Sequence, residues 1–218
     1  MLITDLISKE IKPVSTTTTV EKALHLIDGY QLSHIPLFEG LTFLGNISEA
    51  HLNEAPLNEL LIESKSYIDY FFLTEISSVF DAINEFYTHD TNVIPVLNQN
   101  KDFMGVLLVE DVIAMLSKLP LLSEPSAMLT VKIPTKQYSM SEVAKIVESN
   151  NGRIFGSFIS GFEEDLTEVT IKFNAESLTS VVETFERFGY LVKLKFFNDE
   201  KQTLMHDRFD QLMKYLDV

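Results

Sequence analysis

The side chains of this 218-residue chain that could carry chemistry are few and scattered. His34 opens one apolar-Pro-apolar run, His34-Ile35-Pro36-Leu37-Phe38, with Ser48 and His51 following it. Asp111 follows a second run, Val93-Ile94-Pro95-Val96-Leu97. Each has an ordinary structural use beside a functional one. A Ser before a helix serves as an N-cap, its hydroxyl accepting from an orphan amide of the first turn. An Asp in a first turn is favoured by the positive end of the helix dipole. His34 and His51 read as polar surface or cleft groups, or as pH-sensitive or metal-binding ones. Lys12 and Lys22 read as solvated lysines or as groups approaching a cleft. No enzyme motif joins these residues: there is no Gly-Lys-Ser/Thr phosphate loop, no His-Glu-x-x-His and no Gly-x-Ser-x-Gly. Acids are abundant throughout, so no carboxylate dyad stands out, and neither an enzymatic activity nor a metal site is expected. The absence of Cys excludes disulfides, thiolate metal sites and a cysteine nucleophile.

What must position these residues is a repeat. Pro36 and Pro95 lie 59 residues apart, and the register runs backwards without a gap through Ala23/Ala82, Val20/Val79 and Thr19/Ser78. One extra residue enters the second turn, so Gly45 matches Gly105 at a spacing of 60. Each copy predicts a Ser/Thr lead-in, an amphipathic helix, a strand, a turn, a strand and a second helix. The stripe Val20, Ala23, Leu24, Ile27 recurs as Val79, Ala82, Ile83, Phe86. Thr18 with Glu21 fits a capping box, and Gly29 ends or loosens the first helix. A helix is expected from Ser48 to Pro56, a short one over 57–62, and a closing one lined by Val109, Val112, Ile113 and Leu116 that Pro120 ends. A lone unit of this size could hardly bury both faces of its sheet, so the copies are expected to pack as a pseudo-symmetric pair.

After Pro120 the pattern changes. Residues 121–127, with Ser123, Glu124, Pro125 and Ser126, read as a linker. Met128 to Ile133 reads as a strand, and Ser139 with Glu142 fits a second capping box, opening a helix that Asn151-Gly152 closes. Arg153 to Phe162 and an alternating run through Val169, Ile171 and Phe173 form a hairpin around the acidic loop at 163–165. A helix through Leu178, Val181, Val182, Phe185 and Phe188 and a last strand through Val192, Leu194 and Phe196 follow. The order βαββαβ suggests a ferredoxin-like sandwich. The tail, 198–218, carries a helical stripe of Met205, Phe209, Leu212, Met213 and Leu216, docked on its own domain or against a second subunit.

The two Pro-headed strands, the two glycines and the repeat together resemble a tandem CBS-domain pair. Followed by βαββαβ, the whole resembles the acetoin-utilisation type of CBS protein (AcuB-like), which joins a CBS pair to an ACT-like domain. This resemblance implies a mixed α+β and α/β chain: CBS repeats at 1–62 and 63–120, forming a pseudo-two-fold Bateman module, the linker at 121–127, an ACT-like ferredoxin-like domain at 128–197 and a C-terminal helical tail at 198–218. It implies regulation by an adenine nucleotide or adenosine-type ligand in a cleft between repeats. There the Ser/Thr of the motif meets phosphate, the Asp meets ribose hydroxyls, which suits a carboxylate that accepts two hydrogen bonds at once, and backbone beside the Pro-headed strand meets the base. The ligand-binding candidates are thus Ser48, Asp111, Ile35, Pro36, Ile94, Pro95, His34 and His51. The first copy has Ser48 but His51 at the Asp position; the second has Asp111 but Leu108 at the Ser/Thr position. The alternative is a structural or protein-interaction module with a degenerate site that binds no nucleotide. In the ACT-like part, the turn Pro134-Thr135-Lys136-Gln137-Tyr138 lacks the glycine of ACT ligand sites.

The net charge is −15. Residues 1–120 contribute six Lys, no Arg and 17 acids; the rest carries eight Lys, three Arg and 15 acids. Phosphate-backbone binding depends on Lys and Arg, so no nucleic-acid partner is expected. Without Arg in the repeats the bidentate phosphate clamp is missing, which eases an adenosine-type ligand relative to ATP. No secretory signal or membrane span is read, and the run from Val106 to Leu122 is broken by Glu110, Asp111 and Lys118. A cytoplasmic homodimer, with a small-molecule effector and an unidentified regulated protein as partners, is expected.

Overall fold

In the computed structural model, which describes residues 1–196, Thr19 and Ser78 cap equivalent helices. Thr19 Oγ1 accepts from the Lys22 amide at the start of α1 (Val20–Tyr30). Ser78 Oγ accepts from the Asp81 amide at the start of α3 (Val79–Thr88), and the Asp81 carboxylate returns the bond to the Ser78 amide at 2.7 Å. The capping box therefore belongs to the second copy. In the first, the expected cap at Thr18 moves one residue on, because the Thr18 hydroxyl is taken by the Ser15 amide in the lead-in turn. Gly29 stays within α1, which turns off only at Gln31, with φ of 53°.

The helices lie between strands whose register repeats as the sequence does. In the first copy β1 (Val14–Ser15) runs parallel to β2 (His34–Glu39), and β2 is antiparallel to β3 (Thr42–Ser48), which leads into α2 (Glu49–Glu54). In the second, β4 (Leu73–Thr74), β5 (Val93–Leu97) and β6 (Phe103–Leu108) do the same and lead into α4 (Val109–Leu116). Val14 faces Leu37 and Leu73 faces Val96. Both hairpins bulge at one place, after Leu37 opposite Gly45 and after Val96 opposite Gly105. The extra residue twists each strand there.

The two copies exchange their leading arms. Ser8 pairs with Val106 and Leu2 with Ser78, so the N-terminal arm lies on the second repeat, where Ile3 is buried and Leu6 and Ile7 pack against its core. Asp69 pairs with Asn46 and Leu60 with Thr19, so the arm before β4 lies on the first repeat, burying Leu61 there. The helix expected at 57–62 is instead a 3₁₀ stretch, Leu61–Tyr67. Its start is delayed because the Leu61 and Ile62 amides are bound to the carbonyls of Thr18 and Thr16. Val93 and Val106 pack into the first repeat's core, while Ile94, Val96 and Leu107 pack into the second's. Successive side chains of β5 and β6 thus serve opposite faces, and the sheets are buried on both sides. At the turn end Phe38, Phe43 and Phe103 cluster across the repeats, with Phe38 at 5.2 Å from Phe43 and 5.6 Å from Phe103.

The contacts divide the chain into Met1–Ser117 and Lys118–Val218. α4 closes at Leu116, before the expected Pro120, which instead occupies the first turn of a short helix, α5 (Pro120–Ser123), where its missing amide costs nothing. The second unit then runs β7 (Ala127–Pro134), α6 (Met140–Ser149), β8 (Arg153–Glu163), β9 (Leu166–Asn174), α7 (Leu178–Arg187) and β10 (Leu191–Phe196). Its sheet order is β10-β7-β9-β8, with every neighbour antiparallel. Leu129, Val131, Val169, Ile171 and Phe173 of the sheet meet Val143, Ile146, Val181 and Phe185 of α6 and α7. Tyr190 is buried in this core and donates its hydroxyl to Glu142 at 3.1 Å; burial first, and then that carboxylate, push the phenol above its ordinary range. Glu168 accepts from Lys193 at 2.6 Å and lies 3.2 Å from Lys132, which also binds Glu163. The Lys193 bond is the main reason the Glu168 carboxyl lies below its usual range. The helix expected in the tail at 198–218 lies outside the described residues.

Candidate ligand clefts at the repeat junction

The junction between the copies is built from residues at equivalent positions. Ser33 and Asn92, 59 apart, each precede a buried strand. The Asn92 Oδ1 accepts from the Ser33 amide at 2.9 Å and from its hydroxyl at 3.0 Å, and Ser33 Oγ accepts from the Asn92 amide at 3.0 Å. Asn92 Nδ2 donates to the Gln31 carbonyl at 2.7 Å, and Thr91 Oγ1 lies 3.1 Å from Ser33 Oγ. The carbonyls of Ser33 and Asn92 accept the first amides of α2 and α4, from Glu49 and Val109. The junction therefore ties together both Pro-headed strands and the starts of both following helices. Sequence reasoning assigned no role to Ser33, Thr91 or Asn92. The offset itself was the available signal, since it aligns two polar residues ahead of apolar strands.

Each cleft candidate lies beside this junction. In the first copy His34 faces Ser48, Ile35 faces Ile47 and Pro36 faces Asn46 across β2 and β3. Ser48 caps α2 by accepting from the His51 amide at 3.3 Å. Its N-cap use is thus realised, and His51 stands in the first turn beside it. The His51 ring stacks on Tyr67, with centroids 3.9 Å apart and planes at 18°. His34 is buried, its Nδ1 lies 3.0 Å from Ser33 Oγ, and its ring meets Phe71 edge-on. Phe71 in turn stacks on His89, which pairs with Glu85 at 3.3 Å. Asn46 is buried; its amide donates to the Phe71 carbonyl at 2.8 Å, while its Oδ1 has no partner among the described residues.

In the second copy Val93 faces Leu108, Ile94 faces Leu107 and Pro95 faces Val106. Leu108 is the N-cap of α4 and supplies no side-chain cap. Asp111 stands in the first turn of α4, half-buried, and among the described residues no hydrogen bond or ion pair engages its carboxylate. Ile35, Pro36, Ile94 and Pro95 are all buried. The structure brings His34, Ser48 and His51 together in the first copy and sets Asp111 apart in the second. Lys12 and Lys22 are exposed. A separate cleft of 370 Å³ lies at the turn end of the sheets, between Pro13, Phe38, Leu41, Asp102 and Phe103, and none of these candidates lines it.

Burial holds the His34 imidazole below its ordinary pKa; Asp69 and Asp90 oppose this and His89 reinforces it. A base whose folded pKa is depressed adds stability above its unfolded pKa of about 6.5, and that contribution is lost as pH falls from there through the lower folded value. The protein is therefore expected to lose stability as pH falls below about 6.5. In His34→Gln that part of the slope should vanish in urea titrations run at each pH.

Among the described residues no group of three or more His, Cys, Asp or Glu is placed to hold a metal ion, and no helix is long and apolar enough to cross a membrane. No curated protein matches the chain. Among solved structures, a CBS domain pair/ACT domain protein from Thermotoga maritima is 19% identical, with a TM-score of 0.48 over 53% of this chain and 96% of its own. A protein described as an acetoin utilization protein (AcuB), from Vibrio cholerae, is 18% identical, with a TM-score of 0.46 over 58% of this chain and 97% of its own. CBSX2 in complex with AMP is 19% identical, with a TM-score of 0.43 over 53% of this chain and 95% of its own. The CBS domain family matches twice, over residues 3–58 and 65–118, which is half of the chain. Those segments hold the two Pro-headed strands, the two bulge glycines and the helix starts described above, and the chain belongs to the CBS domain family as a tandem pair.

Proposed function

We propose that the repeat pair is a regulatory, non-catalytic module that binds an adenine nucleotide or adenosine-type ligand beside the junction. The observation that carries this reading is Asp111, a half-buried carboxylate without a partner among the described residues, in the first turn of α4, three residues after the Leu108 that faces Val93 at the head of the Pro-headed strand. A carboxylate there can accept two hydrogen bonds from the vicinal hydroxyls of a ribose. Ligand binding would favour one arrangement of the two repeats, because the strands and helix starts that line a cleft are tied through Ser33 and Asn92. The signal would then pass through domain or dimer interfaces. The acidity of residues 1–120 and their lack of Arg favour adenosine, AMP or S-adenosylmethionine over ATP. Ser48 would donate its hydroxyl proton to a phosphate while its oxygen keeps the His51 amide.

The proposed layout keeps repeats at 1–62 and 63–120, a linker at 121–127 and an ACT-like domain at 128–197. The strand order β10-β7-β9-β8 in the sequence β7-α6-β8-β9-α7-β10 supports a ferredoxin-like reading of the last of these. We also propose a cytoplasmic homodimer acting on another protein. Light scattering should return twice the chain mass; a monomer would refute the dimer.

Calorimetry and thermal-shift titration with adenosine, AMP, ADP, ATP and S-adenosylmethionine test the ligand reading. Adenosine, AMP or S-adenosylmethionine should raise the melting temperature, and Asp111→Ala should weaken binding by about tenfold or more, the value of one charge-assisted hydrogen bond or two. No binding by any of them at millimolar concentration would leave the second reading, a structural module without a nucleotide. The stack of His51 on Tyr67 favours that second reading for the first copy.

A further inference from the structure

The exchanged arms end differently over the two helix starts. Each arm closes with a 3₁₀ stretch, Thr4–Leu6 in one and Leu61–Tyr67 in the other. Each is followed by an Ile that lies against a bulge glycine, Ile7 at Gly105 and Ile68 at Gly45. Leu6 and Tyr67 are therefore equivalent, as are Asp111 and His51, which share the third helical position after Leu108 and Ser48. Leu6 turns into the core of the second repeat. Tyr67 stays 59% exposed and lays its ring flat on His51. A ring stacked at 3.9 Å takes the space directly over the His51 imidazole. At the equivalent place in the other repeat stands the inward-turned Leu6 rather than a ring, and among the described residues no hydrogen bond or ion pair engages the Asp111 carboxylate.

We propose that the Tyr67–His51 stack is a built-in plug that closes the first cleft, so that the chain takes one ligand rather than two, in the cleft of Asp111. This rests on the ligand reading above. The plug is a surface contact, held by one ring pair and by the 3₁₀ turn that presents Tyr67, so it can be removed without touching the core. The imidazole contributes to the closure in a second way. It replaces the carboxylate that would have accepted ribose hydroxyls, and so the first cleft lacks both room and the matching acceptor.

Two measurements decide it. The first needs no ligand. In Tyr67→Leu the His51 ring-proton resonances, assigned through His51→Gln, should move downfield as the tyrosine ring current is lost; unmoved resonances would overturn the plug. The second is calorimetric stoichiometry with adenosine and AMP. The wild-type chain should bind one equivalent, Asp111→Ala none, and the double variant His51→Asp/Tyr67→Ala two. Two equivalents in the wild type, or one in the double variant, would overturn the proposal while leaving the ligand reading intact. Binding by no form would sink the ligand reading and, with it, the one-ligand stoichiometry; the resonance test then still decides whether the ring contact exists.

Discussion

Gly105→Ala should unfold the repeat pair at markedly lower urea, by an amount equivalent to about 3 kcal/mol, and Gly45→Ala should do nearly as much. Two causes add. Gly105 has φ of +149° and Gly45 of +138°, backbone that an L side chain rarely adopts. A Cβ on Gly105 would also strike the Ser8 carbonyl and come within 2.6 Å of the Ile7 side chain; one on Gly45 would strike the Ile68 side chain and come within 2.8 Å of the Asp69 carbonyl. The arm cannot yield cheaply, because Ser8 and Val106 exchange backbone hydrogen bonds at 2.8 and 2.9 Å, and Asn46 and Asp69 do likewise. Gly29→Ala is the control. A Cβ there meets nothing within 4 Å, in the interior of α1. That variant should be neutral or up to about 1 kcal/mol more stable, through helix propensity and a less flexible unfolded chain. Equal effects at Gly29 and Gly105 would show that the arms do not clasp the opposite repeats.

Asn92→Leu is expected to cost about 2–4 kcal/mol, the second large effect. The side chain satisfies the Ser33 amide and the Gln31 carbonyl across the two repeats, and an isosteric apolar group would leave the half-buried Ser33 amide without a partner and return the exposed Gln31 carbonyl to water. The Ser33 hydroxyl would keep Thr91 at 3.1 Å but lose its carbonyl acceptor. Ser33→Ala alone should cost about 1–2 kcal/mol. Because the two residues bond one another, the double variant should fall short of the summed effects by about 1 kcal/mol or more in a urea-denaturation cycle. Additive losses would mean that the repeats are not coupled at this point, and a ligand in one cleft would then have no polar route to the other.

How much of this was legible beforehand differs from element to element. The helix cap at Ser139, the two hairpins and the order β7-α6-β8-β9-α7-β10 follow from local chemistry: a hydroxyl before an apolar stripe, a turn between apolar runs, alternation in β9. The other half of the expected capping box does not form, because the Glu142 carboxylate accepts from Tyr190 instead. The misplacements have separate causes: the Ser15 amide took the Thr18 hydroxyl, the Leu61 and Ile62 amides bound the Thr18 and Thr16 carbonyls across the fold, and Pro120 opened a short helix of its own after α4 had closed at Leu116. Ser48 and Asp111 were singled out by resemblance, and their places, at the N-cap of α2 and in the first turn of α4, were recoverable from the 60-residue offset that matches Ser48 to Leu108 and His51 to Asp111.

The sequence by itself determined that there are two copies, which residues correspond, and which polar groups survive in each. Those are questions of period and identity, and a linear string answers them. Only the tertiary structure decided which repeat each arm belongs to, that Asn92 and Ser33 meet, and that Tyr67 lies on His51 while Leu6 turns inward. These depend on contacts between residues separated by 16 to about a hundred positions, and no local preference encodes the partner. A tyrosine ending a polar 3₁₀ turn reads as an exposed surface residue until the helix start beneath it is known. The two glycines stand between these cases. Their spacing announced the repeat, but the reason a side chain is forbidden there is a strand from the other half of the pair, which only the folded chain brings within reach.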